Sequence, residues 1–209
     1  MIQQLRDIRC AEKNRRFVHP VKLPFSRAPL QLDAMQLRTA RPDDIPRLQE
    51  LIAASVRELS HGFYSEQQAE SGLKYVFGVD SQLIADQSYY VIEDEQGFVA
   101  AGGWSRRRTL YGGDQMKGAD DPLLDPLTEA ARIRAFFVAP RAARRGLGRR
   151  LYEACAAAAS SAGFSSLELV ATMPGVPLYR ALGFELGEQY SVALPDGVNL
   201  PVAKMRRQL

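Results

Sequence analysis

The chain has 209 residues, 46% of them hydrophobic and 24% charged, with two cysteines, two histidines and a net charge of +3. That length can bury one sizeable core, no run reaches the ~20 apolar residues of a membrane span, and Cys10, Cys155, His19 and His61 show neither metal-ligand spacing nor a disulfide framework. Residues 1–34 hold seven Lys/Arg against three Asp/Glu, and the remainder 20 against 21, so the body of the chain is near neutral and offers no general nucleic-acid surface.

Residues 1–34, with Pro20, Pro24 and Pro29 and little hydrophobic periodicity, are expected to form a non-catalytic N-terminal extension. A flexible tail, a packed arm and an upstream extension are all compatible with it, and Asp7 and Glu12 argue against a transit peptide. A domain is expected over 35–209. Residues 35–39 alternate as a short strand. Asp43 or Asp44 is placed to cap a helix with apolar positions Ile45, Leu48, Ile52, Val56 and Leu59. Ser65 and Gln68 form a capping box for a second helix ending near Gly72 or Val76. Residues 88–93 and 98–104 read as a hairpin across Asp94-Glu95-Gln96-Gly97. Residues 106–127, with Gly112, Gly113, Gly118 and several aspartates, form a loop long enough to be functional or disordered.

A strand over 132–138 then feeds a basic loop and a helix over 147–162, whose face carries Leu151, Cys155, Ala158 and Ala162, with Gly163 as its terminator. On that stripe Cys155 is expected to be a buried small hydrophobe rather than a nucleophile. A strand over 166–171, a turn with Pro174, Gly175 and Pro177, and a short helix through Tyr179 to Gly183 follow. Strands over 186–194 and 198–205 flank Pro195-Asp196-Gly197 and complete the chain.

The basic loop is the most informative segment. Strand, Gly-punctuated loop and helix N-terminus in that order make an anion site, because first-turn N–H groups lack helical partners and the helix dipole is positive there. Gly146 and Gly148 lack a Cβ that would obstruct a phosphate, and Arg141, Arg144, Arg145, Arg149 and Arg150 surround them. A nucleotide P-loop is excluded, since Arg149 and Arg150 stand where Lys and Ser/Thr are needed. The dinucleotide fingerprint fails because Leu151 stands where its third glycine belongs. On these residues alone a tight strand-to-helix turn on a solvated face remains an equal alternative.

Two motifs extend the pattern: Phe136-Phe137-Val138-Ala139-Pro140 leading to Arg145-Gly146-Leu147-Gly148, and Leu178-Tyr179-Arg180-Ala181-Leu182-Gly183-Phe184-Glu185 one helix and one strand later. Together they resemble the GNAT superfamily of N-acetyltransferases over roughly residues 35–209. One position departs: Ala143 stands where the superfamily loop opens with Arg or Gln. The resemblance implies a mixed α/β, α+β-like fold, with a central, mostly antiparallel sheet whose central strands splay apart and helices flanking it. It implies acetyl-CoA as cosubstrate. Backbone of Phe136, Phe137 and Val138 would pair with the pantetheine arm, and Arg144, Arg145, Gly146, Leu147, Gly148 and Arg149 would hold the pyrophosphate. Thr172 stands where many relatives have a cofactor-contacting Asn. Tyr179 matches the tyrosine proposed to protonate the leaving thiolate, although an aromatic there can also simply pack the short helix.

The implied reaction is direct attack of a primary amine of a small molecule on the thioester. Acetylation of protein N-termini or lysines, and acyl-CoA binding without catalysis, are the alternatives. General-base candidates are weak: the strand before the loop has Arg132 and Arg134 at its polar positions, and Glu129 and Glu168 read as structural charges. An N–H near Val138 is the expected oxyanion donor. Arg106, Arg107, Arg108, Arg132 and Arg134 either receive a carboxylate of the acceptor or pair with Asp114, Asp120, Asp121 and Asp125 of the long loop. The expected partners are the amine acceptor alone, with no metal, nucleic acid or membrane; a homodimer is compatible with the sequence, and reduced cysteines fit a cytoplasmic location.

Overall fold

The computed structural model describes residues 35–118 and 120–209, so the N-terminal extension read from the sequence lies outside the described residues. Strands β1 (Gln36–Thr39), β2 (Tyr89–Asp94), β3 (Gly97–Ser105), β4 (Ala131–Val138), β5 (Ser166–Thr172), β6 (Glu185–Ala193) and β7 (Asn199–Gln208) form one sheet in the order β1-β2-β3-β4-β5-β7-β6. Every neighbouring pair is antiparallel except β4–β5. The mixed, mostly antiparallel architecture expected from the sequence is therefore the one observed.

Helix α1 (Ile45–Leu59) buries Leu48, Leu51, Ile52, Ser55 and Val56 against the sheet. Its start differs from the expected cap. Asp44 is itself helical and ends a 3₁₀ turn, Pro42–Asp44, that runs straight into α1. Its carboxylate accepts from the Arg41 N–H at 2.8 Å and from the Arg38 guanidinium at 2.7 and 3.0 Å. Arg38 also donates to Glu93 at 2.7 Å, so one ionic cluster ties β1, β2 and the α1 entry together.

Helix α2 (Glu66–Tyr75) carries the predicted box: Gln68 N–H donates to Ser65 Oγ at 3.1 Å, and Ser65 N–H to Gln68 Oε1 at 3.0 Å. The five-residue α3 (Ser81–Ala85), capped by Asp80, is too short to leave a periodic signal, and sequence reading missed it.

Helix α4 (Leu147–Ser161) and α5 (Val176–Ala181) end alike. Gly163 (φ +91°) and Gly183 (φ +84°) adopt the left-handed conformation, and the next residue returns a hydrogen bond to the last turn, Phe164 N–H to Ala159 O and Phe184 N–H to Tyr179 O. The buried face of α4 runs through Leu147, Leu151, Tyr152, Cys155 and Ala159, not Ala158 and Ala162 as expected. Alanine on every side of the last turns leaves the sequence silent on which alanine faces in. Cys155 is fully buried, and burial pushes its thiol up, as suits a core residue.

Two apolar clusters fill the interior. One lies among α1, α3, β1–β3 and the start of α4, the other among α4, β4, β5 and α5. A third, with Tyr64, Val76, Leu194, Val198 and Leu200, docks the β6–β7 hairpin on the α1–α2 connection. Polar bonds fix that hairpin: Ser71 Oγ donates to the Asp196 carboxylate at 2.7 Å, and Gln68 Nε2 to Asn199 O at 2.8 Å.

Candidate active site

The site is generated by a fault in strand β4. Against β3 the register passes from Ala101↔Phe137 to Gly103↔Arg134, so β4 holds an extra residue there. Ala135 takes φ +53°, a conformation non-glycine residues rarely adopt. Two glycines in β3 make room for this bulge. A Cβ on Gly102 would come within 2.3 Å of the Phe136 ring, and one on Gly103 within 2.8 Å of the Tyr89 ring. Tyr89, fully buried, passes beneath Gly103 and donates to the Ala135 carbonyl at 3.0 Å, pinning the bulge from the far side of β3. The mid-strand Gly102-Gly103 pair is a sequence signal for this geometry.

Beyond the bulge β4 leaves its parallel neighbour. β4 and β5 pair only at Ala131↔Leu167 and Arg132↔Glu168. Ala139 N–H donates back to Val99 O on β3 at 2.8 Å, whereas Val138 N–H turns away from β3 to Ser55 Oγ at 3.2 Å, so strand alternation leaves the backbone groups of Val138 and Phe136 directed away from β3. The splayed central strands expected from the resemblance are thus present.

A cavity of about 230 Å³ occupies the gap, lined by Phe136, Phe137, Val138, Thr172 and Tyr179. Tyr179 is 7% exposed and its ring packs on Phe136 (6.1 Å between centroids) and Phe184 (5.6 Å). Burial raises the pKa of its phenol, so the hydroxyl stays protonated well past neutrality. Among the described residues no side chain or backbone group hydrogen-bonds that hydroxyl. It is held by its ring, leaving its proton available to a molecule in the cavity. Thr172 stands opposite it across Gly175. Tyr64, whose hydroxyl is pushed up to about 12 by burial, accepts from Met173 N–H at 3.0 Å and donates to Pro201 O at 2.6 Å, fixing the chain just after Thr172.

The basic loop lies at the end of β4. A 3₁₀ turn, Pro140–Ala142, leads to Arg144 at φ +63° and Gly146 at φ +80°, and α4 begins at Leu147. Among the described residues the N–H groups of 144–149 have no protein acceptor; the first helical bond is Arg150 N–H to Gly146 O at 3.0 Å. One Nη of Arg145 is buried with no hydrogen-bond partner among the described residues, a costly state unless an anion satisfies it.

Three expectations about this loop change. Gly148 is needed for packing rather than for phosphate access, since a Cβ there would come within 2.8 Å of Leu178 on α5. Gly146 faces open space and is required by its left-handed backbone. Arg141 is spent on Asp94, with two bonds of 2.6 and 2.8 Å that hold the turn to the β2–β3 hairpin.

The charged candidates for acceptor chemistry are committed elsewhere. Glu168 pairs with Arg132 at 2.7 Å and Lys204 at 3.0 Å at the closed end of the strands. Glu129 accepts from Asp125 N–H and lies 3.7 Å from Arg108. Neither lines the cavity. Arg134, 2% exposed, is bonded to Asp80 at 2.8 Å and to the carbonyls of Thr109 and Gly112 at 2.7 Å each. Arg107 pairs with Asp86 at 2.7 Å. Arg107, Arg108, Arg132 and Arg134 are therefore paired, each with an acid outside the set named from the sequence, and Arg106 is exposed and does not line the cavity, so they form no carboxylate receptor. The Val138 N–H is also engaged, donating to Ser55 Oγ at 3.2 Å. Sequence reading missed Ser55, Phe77, Leu110 and Tyr111, which line the cavity from distant segments and carry no motif.

Residues 85–186 match the family model of the acetyltransferase (GNAT) domain. Solved structures with the same fold include a GCN5-related N-acetyltransferase from Rhodopseudomonas palustris (19% identity, 83% of this chain and 95% of that one, TM-score 0.60). Others are the PaiA N-acetyltransferase of Thermoplasma acidophilum in complex with coenzyme A (11%, 84% and 99%, TM-score 0.55) and a phosphinothricin acetyltransferase of Sinorhizobium meliloti in complex with acetyl-CoA (23%, 84% and 89%, TM-score 0.54). No curated protein matches the sequence.

Proposed function

Because residues 85–186 match the acetyltransferase (GNAT) domain, we propose that the chain is a member of that superfamily and transfers an acetyl group from acetyl-CoA to the primary amine of a small molecule. The cavity between the splayed strands carries this reading. It is lined by a phenol that has no hydrogen-bond partner among the described residues, β4 runs from its wall to the row of unpartnered loop amides, and the β6–β7 hairpin and residues 110–112 wall its far side. A volume of about 230 Å³, walled on its far side, suits a small acceptor.

The residues present fit the cosubstrate. Loop amides 144–149 and the unsatisfied Arg145 guanidinium would hold the pyrophosphate, Arg144 would add charge, and the outward-facing backbone of Phe136 and the Val138 carbonyl would bond the pantetheine amides. Acetyl-CoA would supply an acyl group activated as a thioester. Tyr179 would donate its proton where thiolate charge develops, being un-ionised at working pH and free of a competing acceptor. With Glu129 and Glu168 engaged, no carboxylate among the described residues lines the cavity, so the amine would have to arrive neutral. Calorimetric titration with CoA, followed by thiol release from acetyl-CoA across an amine panel, tests the assignment. Micromolar binding together with amine-dependent release is expected, and a folded protein with no CoA affinity would overturn it.

A further inference from the structure

The far half of the cavity lies beyond the point where the thioester would sit. Its walls are Phe77, Leu110, Tyr111, Phe137, Val192 and Leu200. These come from five separate segments, yet their arrangement is firm. Phe77 is locked on α2, because its N–H donates to Gly72 O at 2.6 Å and its ring fills the space where a Gly72 side chain would stand. Phe77 meets Phe137 edge-on at 6.5 Å and 72°. Residues 110–112 are drawn over the opening by Gly113 N–H donating to Val76 O and Asp114 N–H to Val79 O, both at 2.9 Å.

Charge is absent from these walls with one exception, and that exception is neutralised. Arg134 reaches the lining only as a member of the buried Asp80 pair, with further bonds to the Thr109 and Gly112 carbonyls. A carboxylate brought into this space would lose its hydration and find no cation to replace it among the described residues.

We infer that the acceptor subsite takes a primary amine with an aromatic or bulky apolar body and no carboxylate beside the amine. This rests on the acetyltransferase reading and names its substrate class. Burying a phenyl group against aromatic walls favours such an amine over a short alkylamine, and desolvation without a counter-ion rejects the matching amino acid.

The test compares three acceptors at saturating acetyl-CoA: 2-phenylethylamine, phenylalanine, which adds only a carboxylate, and ethylamine, which removes the ring. The kcat/KM for phenylethylamine should exceed that for each of the others by about 100-fold, the scale at which apolar pockets discriminate. In Phe77→Ala the advantage over ethylamine should shrink about tenfold, with CoA affinity unchanged as a check on folding. Calorimetry of the same three compounds on CoA-saturated protein reads the subsite without turnover. Equal or better use or binding of phenylalanine or of ethylamine overturns the inference while leaving the transferase assignment standing. Loss of CoA binding would instead strike the assignment itself.

Discussion

Tyr179 and Tyr89 show how two buried phenols with similar surroundings take different parts. The Tyr89 hydroxyl is spent on the Ala135 carbonyl, whereas among the described residues no partner holds that of Tyr179. Tyr179→Phe keeps the ring packing on Phe136 and Phe184 and removes only the proton. Turnover should fall by about 10²-fold or more with little change in thermal midpoint, as for loss of a general acid; wild-type kcat in a folded variant would remove Tyr179 from the chemistry. Tyr89→Phe should lose about 1 kcal/mol of stability, the worth of one buried hydrogen bond. It should also lower kcat through the bulge it pins, which chemical denaturation and steady-state kinetics together would reveal. Because burial raises the Tyr179 pKa, its donor form persists as pH rises. The rate should therefore climb with pH as the amine loses its proton and show no descending limb up to about pH 10, the ordinary phenol value. A fall above pH 8 would contradict this.

Elements here are held by their ends. The Ser65–Gln68 box and the glycine terminators of α4 and α5 were legible because capping chemistry is local: two or three adjacent residues decide it. Ser65→Ala should cost about 1 kcal/mol, measured as a shift of the denaturation midpoint at constant slope. Gly146→Ala meets no steric obstacle, yet it forces a left-handed alanine at the α4 entrance. A loss of about 1 kcal/mol with weakened CoA binding is expected, and unchanged affinity would show that the loop amides are not the phosphate grip. Asp44 does stand at the N-cap position of α1, but its side chain makes no capping bond, for the opposite reason. Asp44 has a partner, Arg38, six residues upstream on another element, and spacing along one helix carries no trace of it.

At the scale of the whole molecule, buried and half-buried ion pairs join segments far apart in sequence. Arg134–Asp80 is the most enclosed, and Asp80→Asn should destabilise the fold by about 3–5 kcal/mol, because it strands a buried guanidinium. Asp44, Asp86 and Asp94 are each held below the usual carboxylate range by hydrogen bonds from Arg38, Arg107 and Arg141. A depressed folded-state pKa contributes stability above the unfolded value and loses it as pH falls through the folded one. The thermal midpoint should thus stay level from neutrality down to about pH 4 and drop below it.

The sequence by itself determined the order of the strands and of the helices other than α3, the Ser65–Gln68 and glycine punctuation, the basic loop at a helix entrance and the resemblance to the acetyltransferase family. Each of these depends on residues within a few positions of one another. Tertiary structure alone decided that β4 bulges at Ala135 and parts from β5, that Arg134 and Glu168 are held in ion pairs, and that Phe77, Tyr111 and Ser55 share a cavity with Tyr179. Cavities and ion pairs join residues separated by tens of positions, and a single sequence records which residues are present but not which of them meet.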